Sequence, residues 1–128
     1  MVLVQHVALC MDTKEHAELF YQDLLHADFV KEFNISKSLI KQIFSVNLDQ
    51  EQISVIVFKA ENMIFEIFIS KMILQKSFNH VCISVKNLPT FIEECQCINV
   101  PVLKIPKDNK ILIFVKDFSG NLIEIKEK

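Results

Sequence analysis

Four residues of this chain combine metal-binding chemistry with matched surroundings: His6, Glu66, His80 and Glu124. His6-Val7-Ala8-Leu9-Cys10 parallels His80-Val81-Cys82-Ile83-Ser84, and Ile64-Phe65-Glu66-Ile67 parallels Leu122-Ile123-Glu124-Ile125. A lone carboxylate among apolar neighbours is costly, and two close together repel. Two neutral imidazoles and two carboxylates around one dication remove both costs. Such a nitrogen and oxygen set suits Ni, Co, Fe, Mn or Zn better than Ca or Mg. Taken singly, each histidine reads as an ordinary core or surface residue and each glutamate as a strand-edge charge. The matched places in a repeated unit are what make the four a candidate metal site.

Strands must position these residues, because side chains alternate between the two faces of a strand. His80, Cys82 and Ser84 share one side, opposite Val81, Ile83 and Val85. His6 shares its side with Ala8 and Cys10, Glu66 with Ile64 and Phe68, and Glu124 with Leu122 and Lys126. The valine and isoleucine face is suited to cover by helices, and the histidine face to a solvent-filled cup.

Val2–Cys10 reads as a strand by length and composition. Asp12 to Glu15 is a D-x-x-E helix start, followed by an apolar stripe at Ala17, Phe20, Tyr21, Leu24 and Leu25. Phe29–Asn34 is expected as a short extended piece. Ser36 is expected to cap a second, shorter helix to Phe44, with Leu39, Ile40, Ile43 and Phe44 on its buried side. Strands are expected at Ile53–Phe58 and Met63–Ile69, with Ala60-Glu61-Asn62 as the turn between them. After a connector at 71–77 the pattern restarts. Asn79–Val85 is a strand, and Asn87 before Pro89 opens a helix to Cys97. Val102–Ile105, Ile111–Val115 and Asn121–Ile125 complete the strands. Gly120 is the only glycine, which predicts a positive φ there. The His-to-Glu separation is 60 residues in the first half and 44 in the second. The excess matches an inserted helix at Ser36–Phe44. The expected fold is therefore α+β: a duplicated unit, module one at 1–70 and module two at 78–128, in a single domain spanning 1–128.

The bulk composition narrows the function classes. At 128 residues, 51% apolar and 23% charged, the chain can bury a core without staples. A net charge of −2 gives no electrostatic support for a nucleic-acid or anionic-membrane partner. All 14 basic residues are lysine, so any anion site must use lysine or backbone amides rather than arginine forks. With no signal-like or membrane-spanning run, Cys10, Cys82, Cys95 and Cys97 are expected as free thiols of a cytoplasmic protein. Cys95-Gln-Cys97 has no second pair to complete a zinc site and reads as small hydrophobes at a helix. His16 and His26 lie off the apolar stripe and read as surface residues, Tyr21 as core.

The openings at His6 and Asn79-His80, and the closing Lys116-Asp117-Phe118-Ser119-Gly120-Asn121 turn before Glu124, resemble glyoxalase/bleomycin-resistance proteins of the vicinal oxygen chelate superfamily. The resemblance spans nearly the whole chain and is weakest from Phe33 to Asp49. It implies two βαβββ modules forming a curved mixed-sheet cup, with an extra short helix in the first, and a homodimer with metal sites at its interface. The metal-dependent, glyoxalase I-like branch implies His6, Glu66, His80 and Glu124 as metal ligands, with Glu124 and Glu66 as the carboxylates that move a proton. The implied activity is that of a metal-dependent lyase or isomerase, abstracting a proton next to a carbonyl of a small oxo compound or thiol adduct. The missing arginine weakens a glutathione-dependent reading, and a glutamate at position 66 weakens a methylmalonyl-CoA epimerase-like one. A non-catalytic protein that binds small molecules, like the bleomycin-resistance proteins, is the rival from another class. An extradiol dioxygenase fits less well, because that branch uses a His-His-Glu triad.

Overall fold

The computed structural model describes residues 4–72 and 79–128. The backbone forms two compact units, 1–73 and 74–128, and their boundary falls in the expected connector, of which residues 73–77 lie outside the described ones.

The first unit runs β1 (His6–Met11), α1 (Lys14–Ala17), a π-helical continuation (Glu18–Leu24), β2 (Asp28–Ser36), α2 (Lys37–Phe44), β3 (Gln52–Lys59) and β4 (Ile64–Ile69). Its four strands form one mixed sheet in the order β1-β4-β3-β2. The second unit runs β5 (His80–Val85), α3 (Leu88–Cys97), β6 (Val102–Lys107), β7 (Lys110–Lys116) and β8 (Leu122–Glu127), with the sheet order β5-β8-β7-β6. Each is a β-α-β-β-β module, and the first carries the extra short helix. The fold is α+β, as the periodicities predict. No helix among the described residues is long and apolar enough to cross a membrane.

The expected extended piece at Phe29–Asn34 is a full edge strand of nine residues, β2. Its full length escapes pattern reading because seven successive residues from Asp28 to Asn34 are exposed, so no alternation marks its ends. The first strand begins at His6 rather than Val2; Val4 and Gln5 are described but lie outside it. The first helix is capped by Thr13, not Asp12: the Thr13 hydroxyl accepts from the His16 amide at 3.1 Å. Asp12 instead accepts from the Thr13 amide at 2.8 Å and pairs with His16 Nδ1 at 2.9 Å.

The apolar stripe of the first helix is buried as expected at Ala17, Phe20, Tyr21 and Leu24. Tyr21 stacks on Phe58 (6.3 Å) and tilts against Phe65 (5.2 Å), joining the helix to one face of the sheet. The helix widens after Ala17, with Leu25 N–H donating to the Phe20 carbonyl five residues back. The wider turn rotates the stripe, leaving Leu25 half-buried while Ala27 is enclosed.

Helix α2 forms where expected, with the Ser36 hydroxyl accepting from the Leu39 amide. Its expected buried side needs correction. Only Ile40 is enclosed, and Leu39, Ile43 and Phe44 are exposed. The helix has a small contact to make: Ile40 joins Ile35, Leu48, Ile53 and Val55 in a local cluster, with Phe68 against its edge. One turn suffices for that, so the rest of its apolar surface stays open.

In the second unit, the Asn87 side chain caps α3 by accepting from the Thr90 amide, with Pro89 in the first turn. The helix buries Phe91 and Cys95, while Ile113, Val115, Ile123 and Ile125 are buried from β7 and β8. The turn before β8 is held by Asp117, which accepts from the Ser119 and Asn121 amides, both at 2.9 Å, and from Asn121 Nδ2 at 2.6 Å. Gly120 has φ 82°, the left-handed conformation expected of it. The other left-handed positions fall to residues with side chains: His26, Ser45, Asn99 and Asp108.

Candidate metal centre

Each module holds one half of the expected set. In the first, β1 pairs parallel to β4, with His6 beside Ile64 and Ala8 beside Glu66. In the second, β5 pairs parallel to β8, with His80 beside Leu122 and Cys82 beside Glu124. The two registers are identical: the glutamate sits two residues past the residue opposite its histidine. The side chains then converge, His6 Nε2 at 3.6 Å from Glu66 Oε1 and His80 Nε2 at 3.7 Å from Glu124 Oε1. Duplicated sequence has become duplicated geometry.

The faces alternate as the strand pattern predicts. Val81, Ile83 and Val85 are half-buried, whereas His80, Cys82 and Ser84 are exposed. The glutamates are the more enclosed partners, with side chains 26% and 18% exposed against 47% and 43% for the histidines. A carboxylate set back in the sheet with an imidazole at its rim leaves one approach open to solvent.

These pairs fit a metal by donor chemistry and spacing. Atoms 3.6–3.7 Å apart are too distant for a good hydrogen bond. They are not too distant for two donors that each lie about 2.1 Å from one ion. Among the described residues, no group of three or more His, Cys, Asp or Glu side chains is gathered closely enough to hold an ion. Each unit by itself therefore brings together two potential donors, one imidazole and one carboxylate.

Two residues flank the second pair: Phe114, which sequence reasoning missed, and Cys82, which it placed on the histidine face. Phe114 lies opposite Glu124 across the β7–β8 ladder, and its ring meets His80 edge-on at 6.4 Å. It walls the pair with an apolar surface; the corresponding neighbour of Glu66 is Val57. Strand alternation along Ile111–Val115 was the available signal. The other is Cys82, directly beside Glu124. Burial, then the Glu124 charge, pushes the Cys82 thiol up. In the first module Ala8 takes that place. The Cys95-Gln-Cys97 pair divides between inside and outside. Cys95 is enclosed, and burial pushes its thiol up to about 11, whereas Cys97 is exposed.

No family model matches the chain, and no curated protein matches it either. Solved structures do. A genomically encoded fosfomycin resistance protein, FosX, from Listeria monocytogenes matches with TM-score 0.72 at 14% identity, covering 100% of this chain and 94% of that one. A glyoxalase family protein from Bacillus cereus matches with TM-score 0.74 at 10% identity, over 99% of this chain and 94% of its own. FosX from Mesorhizobium loti matches with TM-score 0.67 at 11% identity, over 95% and 88%. This chain has the fold of the vicinal oxygen chelate superfamily. A variant of the Listeria protein, TM-score 0.73 at 14% identity over 99% and 92%, is complexed with Mn(II) and 1S,2S-dihydroxypropylphosphonic acid. A divalent metal and a small ligand thus occur together on this fold.

Proposed function

We propose that the chain is a metal-dependent enzyme of the glyoxalase type, a lyase or isomerase acting on a small oxo compound or thiol adduct. The observation that carries this reading is the recurrence of one His–Glu pair, in one register and at one spacing, in both modules. Packing alone has no need for a semi-exposed imidazole beside a recessed carboxylate twice. We take His6, Glu66, His80 and Glu124 as the ligand set, joined from the two His–Glu pairs into one centre. When bound, a divalent ion such as Ni, Co, Zn, Fe or Mn supplies a Lewis acid for two adjacent oxygens of the substrate. The ligand of the Listeria relative, with hydroxyls on neighbouring carbons, is a molecule of that kind.

The chain's own residues do the rest. Glu66 and Glu124 are the carboxylates within reach of such a substrate, and one of them takes the proton from the carbon next to the carbonyl. The histidines hold position. Phe114 excludes water from the His80 side, which strengthens every charge interaction at the centre.

The test is metal content together with turnover. Protein purified without chelator or affinity-tag nickel should hold one divalent ion per four-ligand set by elemental analysis. His6→Ala and His80→Ala should each lower metal affinity by at least about tenfold, since each removes one of few ligands. The metal-loaded protein should turn over at least one member of a thiohemiacetal and acyl-thioester panel. Metal binding unchanged in both variants would overturn the assigned centre. Full metal binding with no turnover across the panel would favour the purely binding role instead.

A further inference from the structure

We propose that Lys31 is a specificity residue that holds a negatively charged group, a carboxylate, phosphate or phosphonate, of the molecule bound against the His6–Glu66 face. This rests on the reading that this face takes the substrate.

The register puts Lys31 there. It lies opposite Val57, which lies opposite Glu66, which lies beside Ala8, so the four form one row across the sheet. Directly opposed residues project to the same side, which places Lys31 on the Glu66 face two strands away, about 10 Å at the backbone. The next row repeats the arrangement with Phe33, Val55, Phe68 and Cys10. The residue between lysine and glutamate is apolar, Val57, 5% exposed, while Val55 in the next row is packed in the cluster that holds Ile40 of α2. A small molecule lying across Val57 meets the His–Glu pair at one end and an ammonium at the other.

The cation is held in place and is uncommitted. Lys31 Nζ sits 5.5 Å from the Phe33 ring centroid, a cation–π contact that lays the side chain along the face. Its sequence neighbour Glu32 is engaged elsewhere, 2.8 Å from Lys14 Nζ, and that bond is the main reason the Glu32 carboxyl is held below its usual range. Lys59 also projects to this face, with Asp28, of opposite charge, across the ladder from it. Lys31 makes no ion pair among the described residues. In a chain without arginine, a lone lysine beside apolar Val57 is the chemistry left for gripping an anion.

The experiment compares two probes with the same adjacent oxygens, dihydroxyacetone phosphate and uncharged dihydroxyacetone. Both are titrated calorimetrically into zinc-loaded and chelator-treated protein. Wild type should bind the phosphate compound more tightly. Lys31→Gln should weaken that binding roughly tenfold, the order expected for losing one charge-assisted contact, while dihydroxyacetone changes less than about twofold. Lys31→Arg should retain most of the affinity, and Lys14→Gln should behave as wild type. Dependence on Lys31 that persists without zinc would sustain this proposal while the metal reading falls. Wild-type affinity in Lys31→Gln, an equal loss for both probes, or no binding of the phosphate compound would overturn it.

Discussion

At the scale of single residues, the chain concentrates its buried polarity in one turn. Asp117 and Asn121 are the buried polar residues among those described, and they satisfy each other and the backbone around Gly120. β8 begins one residue later at Leu122, so this turn sets the register that delivers Glu124 to His80. Asp117→Ala removes the carboxylate that accepts from the Ser119 and Asn121 amides and from Asn121 Nδ2. The expected loss is about 2–3 kcal/mol, read from urea denaturation midpoints at constant slope. A loss below about 0.5 kcal/mol would show that water replaces the carboxylate at no cost.

At the scale of elements, α2 is the piece that distinguishes the modules. It lies on the face that carries Glu66: Ile40 packs with Ile35, Ile53 and Val55, and Phe44 meets Phe68 edge-on at 5.5 Å, two residues beyond Glu66. Its two contacts have separable consequences. Ile40→Ala should cost about 2–4 kcal/mol of stability, as for other enclosed aliphatic truncations. Phe44→Ser, at a half-exposed position, should cost under about 1 kcal/mol but weaken ligand binding on the His6–Glu66 face. Denaturation and ligand titration on the same samples check both, and equal behaviour of the two variants would reduce α2 to a structural cover.

The element level also shows what the residues make legible. Helices with caps and stripes are readable, because Ser36 and Asn87 mark their starts and burial on one side sets their period. The His–Glu matches are readable, because the segments that open and close each module recur in the sequence. β2 is readable only as a short extended piece at Phe29–Asn34, since an exposed edge strand carries no alternation to mark its full length. The inner side of α2 is also not readable: apolar spacing says that a face exists, not how much of it finds cover. Lys31 was invisible as a site residue for the same lack of alternation.

At the scale of the whole molecule, the proposed four-ligand centre requires the two His–Glu pairs to be brought together. The proposed homodimer supplies one way, with His6 and Glu66 of one chain joining His80 and Glu124 of the other. Mixed dimers test it. Chains carrying His6→Ala and Glu66→Ala are co-expressed with chains carrying His80→Ala and Glu124→Ala, and the mixed species is isolated by two tags. A site shared between chains leaves one complete centre per mixed dimer, so metal content should return to one ion per dimer although neither parent binds any. A centre built within one chain gives none. A monomeric mass at micromolar concentration with metal bound would exclude the shared version.

The order of strands bears on how the chain is made. In each sheet the last strand to be synthesised, β4 or β8, lies inside, between the first strand and the third. As the nascent chain emerges, β2 and β3 pair early, whereas β1 has no neighbour until β4 arrives some fifty residues later. The parallel contact that closes the sheet is also the contact that brings histidine to glutamate. Each His–Glu pair thus depends on the last strand of its module to be synthesised, and a ribosome paused before Ile64 or Leu122 carries a module in which the pair cannot form.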